Sequence, residues 1–242
     1  MLKKLVLWGH RLNDYKEMFN LSDDVLSEKY IVEFGSGVTG FNAEMTQKGH
    51  RVVSIDPMYD LPLDEIKQLA TEVFEVTVDT VKQNKDKYNW KNHNELTVLL
   101  NNRREGMQLF FNDFEQGRSD GRYLSLNEFK TKNKNRYEFD LALITHHLFV
   151  NYGNKGVEEH VELILEMIRL AGDVNIFPLL DKFGQNSKLL GPVMLALQQQ
   201  NLGLEVCQVG SQLQKSGNAM LRVWAVECDL DKTKESHDLF LA

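Results

Sequence analysis

Five residues of this 242-residue chain carry its densest chemical signal: Glu33, Gly35, Gly37, Gly40 and, twenty-one positions after Gly35, Asp56. The run Gly35-Ser36-Gly37-Val38-Thr39-Gly40 permits positive φ and lets another molecule approach a backbone that has no Cβ. Glu33 places a carboxylate two positions before that turn. A second carboxylate at the spacing of Asp56 can accept both hydroxyls of a ribose. The set suits a ligand built on a nucleoside.

These groups need a frame to hold them. Ile31, Val32 and Phe34 form a short apolar strand that runs directly into the glycine turn. Residues 41–48 have a helical pattern closed by Gly49, which suits a left-handed cap, and residues 51–55 make a second apolar strand ending on Asp56. The unit is βαβ. A nicotinamide or flavin dinucleotide would set its pyrophosphate on the helix N-terminus, as the literal GxGxxG allows. S-adenosylmethionine has no phosphate but offers an ammonium and a sulfonium, for which Glu33 is electrostatically apt.

The stretch resembles motif I and the following acidic position of Rossmann-like methyltransferases that use S-adenosylmethionine. Glu33, Gly35 and Gly37 stand for Asp/Glu-x-Gly-x-Gly, and Asp56 for the ribose acid. The common form has its third glycine where this chain has Thr39, with Gly40 one residue later, so the dinucleotide reading stays open at this point. The resemblance implies S-adenosylmethionine as cofactor. It implies as the holding residues Tyr15 from a covering helix, Glu33, Gly35, Ser36, Gly37 and Gly40 in the turn, Asp56, Pro57 and Met58 after the second strand, Asn127 near the adenine, and Thr145. Arg11 is a further candidate for the covering role.

Composition narrows the partners. A net charge of −7 and an isoelectric point near 5.5 do not supply the clustered Lys and Arg of an extended nucleic-acid surface. Hydrophobic residues at 42% suffice for the core of a single α/β domain over residues 1–242. Cys207 and Cys228 form no CxxC or Cys/His cluster, which argues against a disulfide scaffold or structural zinc and for a reducing cytoplasm. The apolar run of residues 5–8 is shorter than the roughly 7 to 15 residues of a signal peptide. No stretch reaches the roughly 18 apolar residues of a membrane span, so a chain free of the membrane is expected.

Ahead of the turn, residues 11–26 carry Leu12, Tyr15, Met18 and Phe19 at helical spacing, and Ser22 reads as the cap of a following helix. Residues 63–117 hold two long helical patterns and no strand. Lying between strands two and three, at the sheet end where ligands bind, they are read as a helical cap over the acceptor, with Phe110, Phe111 and Phe114 in its core. Strand three is expected at 122–126, ending at Asn127, and the basic run 130–136 as a solvated loop. Strand four, 139–144, runs into Thr145, His146 and His147. Neighbouring side chains on a strand alternate sides, so the two imidazoles cannot face one ligand and no metal site is expected. Helix 157–171 with Gly172 as its cap, strand 173–179, helix 187–200 and an antiparallel hairpin of 204–209 and 220–226 complete the order.

The expected fold is α/β, with a seven-stranded, mostly parallel sheet of the Rossmann-like methyltransferase kind, a C-terminal antiparallel hairpin and a helical insertion between strands 2 and 3. A nicotinamide-binding Rossmann domain ends instead on a sixth parallel strand. The carboxyl half also resembles one bacterial group of small methyltransferases of unassigned substrate, through FDLALITHHLF (139–149), VNIFPLLDKFGQNS (174–187) and LQKSGNAMLRV (213–223). His146 stands where that group has a histidine, His147 where it has an apolar residue, and Ser216-Gly217-Asn218 where it has Gly-Gly-Asn. The function implied is methyl transfer to a small molecule or an exposed protein group, with His146 as first and Asp181 as second choice of general base. An NAD(P)-dependent oxidoreductase and a non-catalytic cofactor-binding protein are the alternatives.

Overall fold

The computed structural model describes residues 7–90, 95–132, 135–211 and 213–226. Its strands are β1 (Ile31–Phe34), β2 (Val52–Ile55), β3 (Tyr123–Leu124), β4 (Leu141–Thr145), β5 (Asp173–Phe177), β6 (Leu202–Gln208) and β7 (Ala219–Ala225). They form one sheet in the order β3-β2-β1-β4-β5-β7-β6. Strands β1 to β5 run parallel, while β7 is antiparallel to both β5 and β6. The helices are α1 (Leu12–Phe19), α2 (Asp23–Glu28), α3 (Phe41–Gln47), α4 (Leu63–Gln83), α5 (Glu95–Ser119), α6 (Leu126–Lys132), α7 (Val157–Ala171) and α8 (Leu190–Gln198).

The alternation of side chains along each strand divides the core. Val32, Phe34, Ala142, Ile144, Val174 and Ile176 face α7 and α8 on one side of the sheet. Ile31, Leu141 and Leu143 face α1 and the apolar side of α3 on the other. A third cluster stands on the inserted helices: Ile66, Ala70, Val73 and Phe74 of α4 and Met107, Phe110 and Phe114 of α5 close around Trp8, Tyr59 and Tyr123. Phe110 and Phe114 are thus core, as their spacing predicts, and Phe111 packs half-buried against them.

Caps set several of the boundaries. Val25 N–H donates to Ser22 Oγ at 3.2 Å, which starts α2. Gly49 (φ +76°) and Gly172 (φ +71°) end α3 and α7 in the left-handed region. One expected boundary is corrected. Strand β3 ends at Leu124, because Ser125 and Glu128 form a capping box, with Ser125 N–H donating to Glu128 Oε2 at 2.9 Å and Glu128 N–H to Ser125 Oγ at 3.3 Å. Asn127 is therefore helical. Residues 130–132 continue α6 instead of forming a loop, and residues 133 and 134 lie outside the described residues, as do Cys228 and the start of the N-terminal run. Among the described residues no helix is long and apolar enough to cross a membrane.

Candidate functional site

The glycine turn joins β1 to α3 with Gly35 at φ +73° and Gly37 at φ +58°, conformations that its glycines permit. Asp56, at the end of β2, holds this turn. Its Oδ2 accepts Gly37 N–H at 2.9 Å and its Oδ1 accepts Met58 N–H at 2.9 Å. The short helical turn Pro57–Asp60 then brings the Tyr59 hydroxyl to donate to Gly37 O at 2.7 Å. Pro57 itself is exposed and Met58 buried. Ser36 Oγ donates to Glu33 O at 3.3 Å, and Thr145 Oγ1 ties β4 to the turn by donating to Gly35 O at 3.2 Å. Burial pushes the Asp56 carboxyl up to about 6, and the two backbone N–H bonds oppose that rise. At neutral pH its charge is retained.

Glu33 is held inside the fold by hydrogen bonds. The β1–β2 register sets it beside Ser54, whose Oγ donates to Glu33 Oε2 at 2.8 Å, and Asn42 Nδ2 donates in turn to Ser54 Oγ at 3.0 Å. The Tyr15 hydroxyl bonds the other carboxyl oxygen. Burial pushes Glu33 up to about 8, so in the fold as it stands it is mostly protonated at neutral pH, with both carboxyl oxygens engaged inside the protein. Tyr15 is engaged in the same network, its ring stacked on Phe41 at 4.0 Å. Asn127 lies on the outside, with Nδ2 donating to Asp60 Oδ2 at 3.3 Å.

The turn is covered. A Cβ on Gly37 would come 2.9 Å from Leu7 Cδ2, and one on Gly35 would come 2.2 Å from His147 Cβ. The covering segment, residues 7–10, is threaded between the turn and α5: a Cβ on Gly106 would stand 2.2 Å from the Gly9 carbonyl oxygen. Gly40 N–H donates to His10 O at 2.8 Å, so the same segment caps α3. Arg11 faces away from the turn, bonding Glu44 and Glu105.

Beside the covered turn, at the carboxyl ends of β4 and β5, lies a cleft of about 170 Å³ walled by α1, α4, α5 and the segment before β7. His146 and Asp181 both line it. His147 is turned away and stacks on Tyr152 at 5.4 Å; the adjacent imidazoles diverge, but not by strand alternation, because β4 ends at Thr145 and His147 opens the helical turn His147–Asn151. Burial, helped by the Arg103 cation, holds His146 down to about 4: unprotonated at neutral pH, and a weak base. Asp181 Oδ1 accepts Phe183 N–H at 2.8 Å and Gln185 N–H at 3.1 Å, which commits it to its own loop.

The cleft also contains three polar residues that sequence reasoning passed over: His10, Asp14 and Arg103. Arg103 Nη1 donates to Asp14 Oδ2 at 2.5 Å, and the His10 and His146 rings stack at 4.8 Å. Arg103 had a legible signal, since with Leu100, Met107 and Phe110 it keeps the spacing of the buried stripe of α5. A cation on an apolar stripe calls for a partner. His10 had none, because its position in an irregular segment is set by tertiary contacts alone.

The strand order, the antiparallel β7 and the glycine turn followed by Asp56 define a Rossmann-like methyltransferase fold, and the sixth parallel strand of a dinucleotide-binding domain is not what β7 is. The chain is 30% identical over 194 residues to the uncharacterized protein MJ0045 of Methanocaldococcus jannaschii, over 80% of this chain and 86% of that protein, and it belongs to the family of that archaeal protein. No family model matches it. Among solved structures it is similar to magnesium protoporphyrin IX methyltransferase from Synechocystis PCC 6803 with bound SAH, at 12% identity, TM-score 0.43 and coverage of 84% of this chain and 77% of that one. It is also similar to the N-methyltransferase NodS from Bradyrhizobium japonicum WM9 in complex with S-adenosyl-l-homocysteine, at 13% identity, TM-score 0.40 and coverage of 89% and 87%. The bacterial group suggested by the carboxyl half is not confirmed by this relative, which is archaeal.

Proposed function

We propose that the protein is an S-adenosylmethionine-dependent methyltransferase acting on a small molecule or an exposed protein group, with residues 63–117 as the cap of a single domain. One observation carries this reading: within the strand order of that fold, an ionised Asp56 meets a positive-φ glycine turn at the adjoining ends of β1 and β2. The residues present fit the cofactor in chemistry. Each Asp56 oxygen has one backbone N–H partner and keeps a lone pair for a ribose hydroxyl, and the backbone at Gly35 and Gly37 is free of Cβ atoms. In packing they fit once residues 7–10 and His147 shift from over the turn. When bound, the cofactor supplies a methyl group on a positively charged sulfur.

The chain's own residues then bind, orient and exclude water. Thr145 and Tyr59 hold the turn rigid, and the return of residues 7–10 closes it to solvent, which favours near-attack geometry. Thr77, Thr80 and Val81 of α4 and Arg103 of α5 line the cleft, which supports an acceptor site under the inserted helices. His146, uncharged and weakly basic, suits hydrogen bonding to the acceptor better than abstraction of a tightly held proton. The full chain, methyl-tritiated S-adenosylmethionine, and separate small-molecule and protein fractions of a cell extract give the test. Label is expected in one fraction; bound cofactor with no label in either would make this a cofactor-binding protein without transfer.

A further inference from the structure

We propose that the cleft beside the glycine turn is a carboxylate-binding site, with Arg103 Nε and a ring nitrogen of His10 as its donors. The placing of that carboxylate relative to cofactor and acceptor rests on the methyltransferase reading; the binding of a carboxylate does not.

Three buried donor or acceptor atoms at this cleft lack partners. Arg103 is 3% exposed and His10 5%, yet Arg103 Nε and both ring nitrogens of His10 make no hydrogen bond. Burying such groups unpaired is unfavourable, and the two side chains that carry them line the cleft, so a small rotation of either would offer its donor to a molecule bound there. Asp14 satisfies only part of the guanidinium: its Oδ2 takes Arg103 Nη1 at 2.5 Å and the Arg11 backbone N–H at 2.7 Å, and stands 3.9 Å from His10 Nδ1, too far to bond it. A planar guanidinium with Nε still unpaired has a donor edge suited to a planar anion.

Charge and shape select among anions. Burial and the neighbouring Arg103 keep His10 and His146 neutral, so His10 gives an N–H without adding a second cation. Asp14, Glu17 and Asp181 also line the cleft, and their repulsion disfavours a doubly charged phosphate against a singly charged carboxylate. The volume of about 170 Å³ suits a small molecule, and Trp8, Met18, Phe177 and Leu180 offer apolar walls to its body. A carboxylate could come from two sources, the amino-acid end of S-adenosylmethionine or the methyl acceptor.

Two variants test the site in the full chain. His10→Phe keeps a ring against His146 and removes both nitrogens; Arg103→Lys keeps the charge beside Asp14 and removes Nε. Because His10→Phe deletes two unpaired buried atoms, its thermal midpoint should match or exceed that of the parent, whereas binding should fall. Calorimetry would compare S-adenosylmethionine with its decarboxylated form, and acetate, succinate and benzoate as separate probes. If the cofactor supplies the carboxylate, the parent prefers S-adenosylmethionine by about tenfold, the scale of one charged hydrogen bond, and both variants lose that preference. If the acceptor supplies it, one of the acids binds the parent and weakens by about tenfold in both variants, with the cofactor preference unmoved. An acid that binds while neither nucleoside does would overturn the methyltransferase reading and leave the carboxylate site standing. Affinities for every probe that are the same in parent and variants overturn the proposal, as does a parent that binds no acid and does not distinguish the two nucleosides.

Discussion

Asp56 spans two levels of organisation with one carboxylate, since it closes the glycine turn through Gly37 N–H and starts the following turn through Met58 N–H. Asp56→Asn leaves one acceptor oxygen and sets an N–H₂ against a backbone N–H. It should lower stability by about 1–3 kcal/mol, the cost of one buried unpaired group, and weaken S-adenosylhomocysteine by at least about tenfold. Thermal denaturation and calorimetry measure the two separately. An unchanged dissociation constant in a folded variant would remove Asp56 from the ribose site. Such residues are legible in sequence because their spacing is their function: positive φ asks for Gly35 and Gly37, and the length of one βα unit fixes the distance to Asp56. Glu33 was legible as a carboxylate at the turn but not as a neutral one, because its protonation comes from complete burial in the folded chain, which the hydrogen bond from Ser54 only partly opposes. His10 and Arg103 meet only through the threading of residues 7–10 past α5, and no local pattern encodes that.

The covering segment depends on close backbone contact. A Cβ on Gly9 would stand 2.0 Å from the Arg103 carbonyl oxygen and 2.7 Å from Met107 N, backbone atoms of α5 that cannot swing aside as a side chain can. Gly9→Ala should therefore cost about 1–3 kcal/mol as an overpacked contact and loosen residues 7–10 from the turn. Hydrogen exchange at Val38, fully buried in the parent, should quicken relative to the strands; unchanged exchange and stability would show that the segment is not held there. The helices of the insertion were readable from long apolar stripes, because burial on one side imposes the helical period over many turns. The β3–α6 boundary was not, although Ser125 and Glu128 spell a capping box: an apolar run at 122–126 suits a strand equally well, and pairing with β2 extends only over Tyr123 and Leu124.

The sheet as a whole was the most legible level, since five apolar strands separated by helices, followed by a hairpin, leave few topologies, and β7 pairing antiparallel with β5 completes that order. The buried titratable groups give the molecule a pH signature. Folding raises Glu33 to about 8 and lowers His146 and His147 to about 4. Between pH 6.5 and 8 the folded chain keeps a proton on Glu33 that the unfolded chain has lost, so stability falls as pH rises, by at most about 1.4 kcal/mol per pH unit. Below pH 6.5 the unfolded imidazoles take up protons that those of the folded chain refuse. Three of them, His10, His146 and His147, outweigh Glu33 and Asp56, and stability falls toward acid as well. Glu33→Gln should flatten the alkaline limb in denaturant titrations at pH 6.5, 7.2 and 8; an unaltered limb would mean that Glu33 is charged in the fold. The most direct test of the functional reading is calorimetric titration of the full chain with S-adenosylhomocysteine and, separately, with NAD. One molecule of S-adenosylhomocysteine should bind per chain and NAD should give no heat of binding; saturable binding of NAD with none of S-adenosylhomocysteine would contradict the assignment of the glycine turn.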